Sequence, residues 1–417
     1  MEAKTRKVWI ENAKTGAPDS GFTLIDPLRL VSDPLPVSRG QLAAFRLMNG
    51  KRKPQDIRTA LGDEHGVDMS VGEIKDFIQL LDKRGWLDSD RFRGLLRRSA
   101  EEYRQLESRP YLFQGESYPA DAEELERLMG QSETPQRLRA AAWREVERGP
   151  IAGIVAPHID PSRAGDAYAD AYVHVPIDAS YLFVILGTAH VPGDSRFILT
   201  TKDFRTPYGT LYTDVNAVNR ATKLASTDLL QDEVLHRTEH SIEFQALYLS
   251  FRFRWARQNS IRILPVLIGS FADFIRAQRY PGDIPEVRSV FDALRQVIDE
   301  RERSGERVIV LTGADLSHVG DKFGDSGALT PERLAAVEQA DRTSLQHLLH
   351  LDARALYSDL ARDGNARRWC GLAPLVCLLE ILQADSASLL CYGKDYQPDA
   401  NYAVTYSAIS LHREAQE

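Results

Sequence analysis

Tyr181-Leu-Phe-Val-Ile-Leu-Gly-Thr-Ala-His190 is the stretch on which the fold turns. Six apolar residues run without polar alternation into Gly187, and a histidine follows three residues later. A strand with one face in water alternates apolar and polar residues, so an unbroken short run bounded by glycine reads as a strand buried on both faces. Three more runs share the pattern: Ile151-Ala-Gly-Ile-Val155, Ile263-Leu-Pro-Val-Leu-Ile268 and Arg307-Val-Ile-Val-Leu311. Helical periodicity fills residues 213–226, 240–252, 287–303 and 331–349 around them. Strand alternating with helix predicts an α/β fold, a three-layer sandwich with a mostly parallel central sheet. Residues 388–392 and 403–411 add strands, the last expected at a sheet edge.

Open sheets of this kind place ligands beyond the carboxyl ends of their strands. Here the first run leads into Ala156-Pro157-His158-Ile159-Asp160, the second into Gly187-Thr188-Ala189-His190, and the fourth into Gly313-Ala314-Asp315-Leu316-Ser317-His318. The third ends in Gly269-Ser270, with no ionisable group. A solitary histidine is usually a surface or core residue, but three at equivalent topological positions point to one shared site. Neutral imidazole suits zinc, iron and copper, so the site is expected to hold a transition metal through His158 and His190. The third ligand is open between Asp315, His318, Cys370 and the helix carrying Glu239, His240 and Glu243. Cys370 sits in Arg368-Trp369-Cys370-Gly371, just before the apolar stretch 372–382, and a thiolate at a helix N-terminus is stabilised by free N–H groups. From composition alone the reading of Cys370 as a buried structural thiol is slightly the better one, and Cys377 and Cys391 read as structural.

His236-Arg-Thr-Glu239-His240 matches the HxxEH pattern of a zinc-peptidase helix. That chemistry needs one helix across both histidines, whereas helical periodicity begins only near Ser241. Glu239, His240 and Glu243 are therefore expected beside the strand-end histidines, as groups that orient ligands or move protons. No GxGxxG after a strand, GxxxxGK[ST] or GxSxG occurs, which sets nucleotide hydrolysis and serine-hydrolase chemistry aside.

The first hundred residues differ. Residues 38–48, 53–61 and 70–84 read as three short helices, the third with Ser70 and Glu73 spaced as a capping box. An extended piece expected from Trp86-Leu87 completes a small winged-helix plan over residues 1–91. Residues 92–108 form a charged connector helix, and 109–417 the α/β domain. Lysines and arginines total 52 against 60 acidic residues, a net charge of −8, which argues against a nucleic-acid partner. No apolar run reaches the roughly 18 residues of a membrane span. The N-terminus lacks the apolar core of a secretory signal, and three cysteines make no disulfide framework, so a cytoplasmic location is expected.

From about Arg109 to Leu411 the chain resembles the MEMO-like family, in particular its bacterial AmmeMemoRadiSam system protein B branch. The matching stretches, in the family's order, are Gly115-Glu-Ser-Tyr-Pro119-Ala, Val155-Ala-Pro-His158, Ile185-Leu-Gly-Thr-Ala-His190, Arg205-Thr-Pro207, Glu239-His-Ser-Ile-Glu243, Pro265-Val-Leu-Ile-Gly269, Asp315-Leu-Ser-His318 and Cys370-Gly371. The family is similar to the class III extradiol dioxygenases, non-haem iron enzymes of α/β sandwich fold. The resemblance implies His158, His190 and Cys370 as ligands to iron or copper, with His240, Asp315 and His318 as acid/base or oxygen-orienting groups. The match departs at Ile159-Asp160-Pro161, where many members carry Gly-Tyr, and at Leu372-Ala373, where the family has basic and histidine side chains. Residues 1–91 resemble PqqD-like modules, which bind peptides by strand addition, implying a peptide substrate or a radical-SAM partner, with a small-molecule substrate and another protein partner as the other expectations for the whole chain. The leading expectation is thus a non-haem metal-dependent oxidoreductase activating O2 or a redox substrate. A metal-binding adaptor that docks a peptide or protein, and a zinc hydrolase, are the alternatives.

Overall fold

The computed structural model describes residues 3–6, 8–12, 21–177, 179–256 and 261–414. The chain divides into two compact units, Met1–Leu106 and Glu107–Glu417.

In the first unit, strands β1 (Trp9–Asn12), β2 (Phe22–Ile25) and β3 (Leu35–Val37) form an antiparallel sheet in that order. Helices α1 (Arg39–Leu47), α2 (Pro54–His65), α3 (Val71–Lys83) and α4 (Asp90–Arg104) follow. Ser38 with Gln41 and Ser70 with Glu73 close capping boxes on α1 and α3, satisfying amides that the first helical turn leaves without partners. Leu24, Val37, Phe45, Leu61, Ile74, Phe77, Leu81 and Trp86 share one core. The sheet expected after the third helix stands before the first one instead. Trp86 is buried in the helical core, Leu87 makes a single bridge to Thr5, and α4 starts at Asp90, leaving no length for a strand.

The second unit opens with β4 (Ser108–Arg109), α5 (Ala122–Gly130), α6 (Pro135–Arg148), β5 (Ile151–Ala156), α7 (Pro161–Tyr172) and β6 (Tyr181–Thr188). It continues with β7 (Phe197–Leu199), β8 (Asp203–Thr206), β9 (Gly209–Leu211), α8 (Val215–Leu224), α9 (His240–Arg252) and β10 (Ile261–Ile268). Then come α10 (Ala272–Arg276), α11 (Pro285–Arg303), β11 (Arg307–Gly313) and β12 (Asp315–Gly320). The last elements are α12 (Pro331–Leu349), α13 (Ala353–Ala361), α14 (Leu372–Ile381), β13 (Ser386–Gln397) and β14 (Tyr402–His412).

The large sheet runs β12-β14-β5-β11-β6-β10-β7, with β13 along the other side of β14. Its centre, β5-β11-β6-β10, is parallel, and its flanks are antiparallel, so the sheet is mixed. Every residue of β6 is buried, as the unbroken apolar run requires. Leu182, Val184 and Leu186 pack on one face with Val290 and Leu294 of α11 and Leu375 and Leu378 of α14. On the other face the Phe183 ring meets Phe253, at the end of α9, with ring centres 5.8 Å apart. Helices on both faces make the three-layer sandwich. Complete burial contributes about 1.5–3 kcal/mol for each such side chain.

β14 is not an edge strand: β13 pairs along its length, while β12 and then β5 pair on its other side. Buried Thr405, Ser407 and Ser410 interrupt its apolar sequence and disguise an interior strand as an edge. Among the described residues, no helix is long and apolar enough to cross a membrane.

Candidate metal centre

β11 lies between β5 and β6, with Gly313 in register with Ala156 and Thr312 with Leu186. The carboxyl ends of the three strands therefore sit side by side. His158, His190 and Asp315 each lie two residues beyond their strand's last residue, so the sheet's register alone brings them together. Gly187 and Gly313 let the start of α9 close over this edge. A Cβ on Gly187 would lie 2.7 Å from Ser241 Oγ, and one on Gly313 would lie 2.8 Å from the Ser241 carbonyl oxygen. Cys370 arrives from the turn before α14, which the Gly371 N–H ties to the Asp315 carbonyl at 3.0 Å.

The result is a tight cluster. Ring nitrogens of His158 and His190 and the Cys370 sulfur all lie within 4.8 Å of one another. His158 is buried, and its Nδ1 stands 2.9 Å from the Gly313 carbonyl oxygen. A carbonyl only accepts, so Nδ1 carries the hydrogen and Nε2 keeps its lone pair, to which the Cys370 thiol donates at 3.1 Å. His190 Nδ1 lies 2.9 Å from Glu239 Oε1, and a carboxylate likewise accepts, which puts the hydrogen on Nδ1 and the ring's lone pair on Nε2. His158 N–H donates to Asp315 Oδ1 at 2.9 Å, and Asp315 Oδ2 comes within 3.6 Å of His158 Nε2. Burial, then the nearby Asp315 carboxylate, push the Cys370 thiol well above its ordinary pKa. Two imidazole lone pairs and a thiol, enclosed with two carboxylates, form a donor set that fits a transition-metal cation.

His240 begins α9, and its ring stacks on His190 with centres 4.6 Å apart while edging against His158 at 5.7 Å. Burial lowers its pKa against the opposing pull of Glu239. Glu239 caps the helix, accepting the His240 and Ser241 amides at 2.9 and 3.1 Å. His318 joins Asp315 and Cys370 in a second compact group. Its Nδ1–H donates to the Leu316 carbonyl at 3.1 Å, and burial brings its pKa down to about 4.

Glu243 goes elsewhere. One turn along α9 it accepts from Arg109 Nη1 at 2.6 Å, from the Leu112 and Phe113 amides, and from the Tyr118 hydroxyl at 2.9 Å. Its link to the cluster is indirect: the Phe113 ring it positions meets the His240 ring edge-on at 5.6 Å. The HxxEH pattern is divided between elements. His236 belongs to a short 3-10 turn, Glu233–Arg237, where Nε2–H donates to the Ile198 carbonyl at 2.9 Å, so the two histidines share no helix. Cys377 packs in the core, and Cys391 lies on β13.

Two supporting residues escaped the sequence reading. Arg109 is fully buried and also bonds the His236 and Glu239 carbonyl oxygens at 2.6 and 2.9 Å. Asp341 is fully buried on α12, and its one sequence signal is its place seven residues from both Leu334 and Leu348 on the buried stripe.

Residues 109–410 match the family described as Memo-like protein. A MEMO1 family protein of Aquifex aeolicus is 24% identical over 394 residues, spanning 94% of this chain and 96% of its own. Another, of Thermus thermophilus, is 27% identical over 365 residues, spanning 86% and 99%. A third, of Methanosarcina acetivorans, is 26% identical over 309 residues, spanning 73% and 99%. The first two alignments are longer than the second unit, so those similarities extend into the first.

Proposed function

The chain belongs to the Memo-like family, and from that membership and the cluster's geometry we propose that it is a metal-dependent oxidoreductase in which His158, His190 and Cys370 hold iron or copper. The observation that carries this reading is the 3.1 Å approach of Cys370 Sγ to His158 Nε2, beside a His190 whose other ring nitrogen is taken by Glu239. Carboxylate–histidine pairs of that kind fix the tautomer and raise the basicity of a ligand. When bound, a redox-active ion with these ligands supplies one-electron chemistry towards O2 or a redox substrate.

The protein's own groups serve proton movement and enclosure. His240 Nδ1 faces Glu239 Oε1 at 3.3 Å, and burial lowers the ring's pKa, which suits it to take up and release a proton. His318, held through Nδ1, offers its Nε2 in the same way. Asp315 keeps one oxygen on the His158 amide and has the other for orienting a bound group. Phe113 and Phe244 pack their rings against His240 and exclude water from that side.

On the ordered motifs we further assign the chain to the AmmeMemoRadiSam system protein B branch, with a peptide or small-molecule substrate and a radical-SAM protein as partner. The edges of the β1-β2-β3 sheet offer a peptide the strand addition that a PqqD-like module would use.

Elemental analysis of anaerobically purified protein, with His158→Ala and Cys370→Ser beside it, tests the reading. Near-stoichiometric iron or copper that both variants lose supports it. Zinc in the same place moves the function to hydrolysis, and a folded protein that takes no metal leaves a docking protein.

A further inference from the structure

We propose that Asp341 is a positioning residue of the metal centre, locking the turn that presents Cys370 to the strand that carries Asp315 and His318. The proposal rests on the reading of His158, His190 and Cys370 as ligands.

Asp341 lies in the middle of α12 with no exposed surface. Its Oδ1 accepts from Arg367 Nη1 at 2.6 Å, Ser317 Oγ at 2.6 Å and Trp369 Nε1 at 2.8 Å. Its Oδ2 accepts from Thr405 Oγ1 at 2.6 Å and the Tyr392 hydroxyl at 3.0 Å. These donors come from three places: Ser317 on β12, Tyr392 and Thr405 on β13 and β14, and Arg367 and Trp369 on the turn. Trp369 directly precedes Cys370, and Ser317 directly precedes His318. One carboxylate therefore holds the neighbours of groups from two segments of the cluster, and Trp369 Nε1 also reaches Ser317 Oγ at 3.1 Å.

The turn needs holding. Arg368 has φ +56° and Asn365 φ +57°. Asparagine tolerates the left-handed region, but a long side chain such as arginine seldom adopts it and persists there only where its surroundings over-determine it. Arg368 is clasped from outside, donating to the His318 carbonyl at 3.1 Å and to Asp325 at 2.5 Å, while the His318 amide donates to the Arg367 carbonyl at 2.8 Å. Asp341 clasps the same turn from inside. A buried charge pair adds little net stability over an apolar replacement, because desolvation cancels much of the attraction. What such a network supplies is a fixed geometry, and here that geometry sets the Cys370 sulfur against His158.

The test is cobalt(II) titration of the full chain, following the thiolate-to-cobalt charge-transfer band, for wild type, Asp341→Asn and His158→Ala. Asp341→Asn keeps the shape but removes the charge that Arg367 meets. It is expected to weaken cobalt binding by about 10–100-fold, the usual cost of losing a residue that orients a ligand, and to shift the band. Asp26→Asn is the structural control, breaking the buried Arg6–Asp26 pair of the first unit. It should lower the melting temperature and leave cobalt affinity unchanged. If Asp341→Asn does not fold, Trp369→Phe removes one donor and should give a smaller loss in the same direction. A folded Asp341→Asn with wild-type affinity and band overturns the proposal, as does an equal loss in Asp26→Asn. Wild type that binds no cobalt, or binding indifferent to His158→Ala, overturns the metal reading itself and this proposal with it.

Discussion

The Glu239 carboxylate binds His190 twice: Oε1 lies 2.9 Å from the ring Nδ1, and Oε2 accepts the backbone N–H of the same residue at 2.9 Å. The same Oε1 caps α9 through the His240 and Ser241 amides. Burial alone would raise the acid's pKa, but His190 and His240 beside it prevail and hold it far below the ordinary carboxylate range. One anion thus joins helix, imidazole tautomer and strand end. Glu239→Gln turns a carboxamide N–H₂ towards groups that themselves donate. We expect metal affinity to fall about 10–100-fold and stability by about 1 kcal/mol from the weakened cap. Competition with a chelator and a thermal melt measure the two separately. Unchanged affinity would show that His190 does not depend on this contact.

Arg109 and Glu243 form a pair whose side chains are 0% and 2% exposed. Replacing the arginine alone, as in Arg109→Met, strands a buried carboxylate that also anchors the Leu112 and Phe113 amides. A loss of about 3–5 kcal/mol is expected in urea unfolding. Arg109→Met with Glu243→Leu should lose less than Arg109→Met alone, since no charge is left uncompensated. Arg354→Ala removes a pair in which both side chains are 59% exposed, and should leave the unfolding midpoint where it was. A double variant worse than the single would refute the burial argument.

Much of this was legible in the residues, and the failures have physical reasons. The runs ending at His158, His190 and Asp315 could be read because strands buried on both faces admit little but apolar residues, so their ends stand out. Cys370 was the harder member of the cluster to see, because its approach to His158 depends on a turn folded back over 212 residues of chain. Glu243 was expected beside the histidines from its helical spacing. Arg109, some 130 residues earlier, draws it away, and periodicity carries no record of a distant partner. Asp341 in Glu338-Gln-Ala-Asp-Arg342 looks like any acid on a wet helix face. Only tertiary structure brings in the donors that let it be buried. The first unit's strands were missed because β2 and β3 span four and three residues, the latter with Pro36 at its centre.

Gly371 gives a steric test of the Cys370 turn. A Cβ there would lie 2.6 Å from the Asp315 carbonyl oxygen, which is backbone, and 2.6 Å from Ala314 Cβ. Neither can swing aside as a flexible side chain would. Gly371→Ala should push the turn away from β12, lose the Gly371–Asp315 hydrogen bond and cost about 1–3 kcal/mol, the range for overpacking. Because Cys370 is the preceding residue, the same change should reduce metal content in purified protein. Gly62→Ala, where a Cβ would meet nothing within 4 Å, is the matched control and should retain metal. Full metal retention in Gly371→Ala would mean that the sulfur's position tolerates movement of its turn.

His236 predicts how stability responds to acid. Burial pushes its pKa from 6.5 down to about 4, with Nε2–H donated to the Ile198 carbonyl. Between those values the unfolded chain binds the proton and the folded one does not, so stability rises with pH across that window. The contribution is complete above about pH 6.5 and drains away as the pH falls towards 4, which is about 2 kcal/mol lost between pH 7.5 and 5. His236→Gln keeps an N–H for Ile198 but cannot titrate. Its urea midpoint should therefore fall less steeply over that interval than the wild type's. His174, also pushed down to about 4 by burial, leaves a residual slope in both proteins, so the difference between them is the quantity to read. Equal slopes would mean that His236 becomes protonated without cost, which its enclosure against Ile198 forbids.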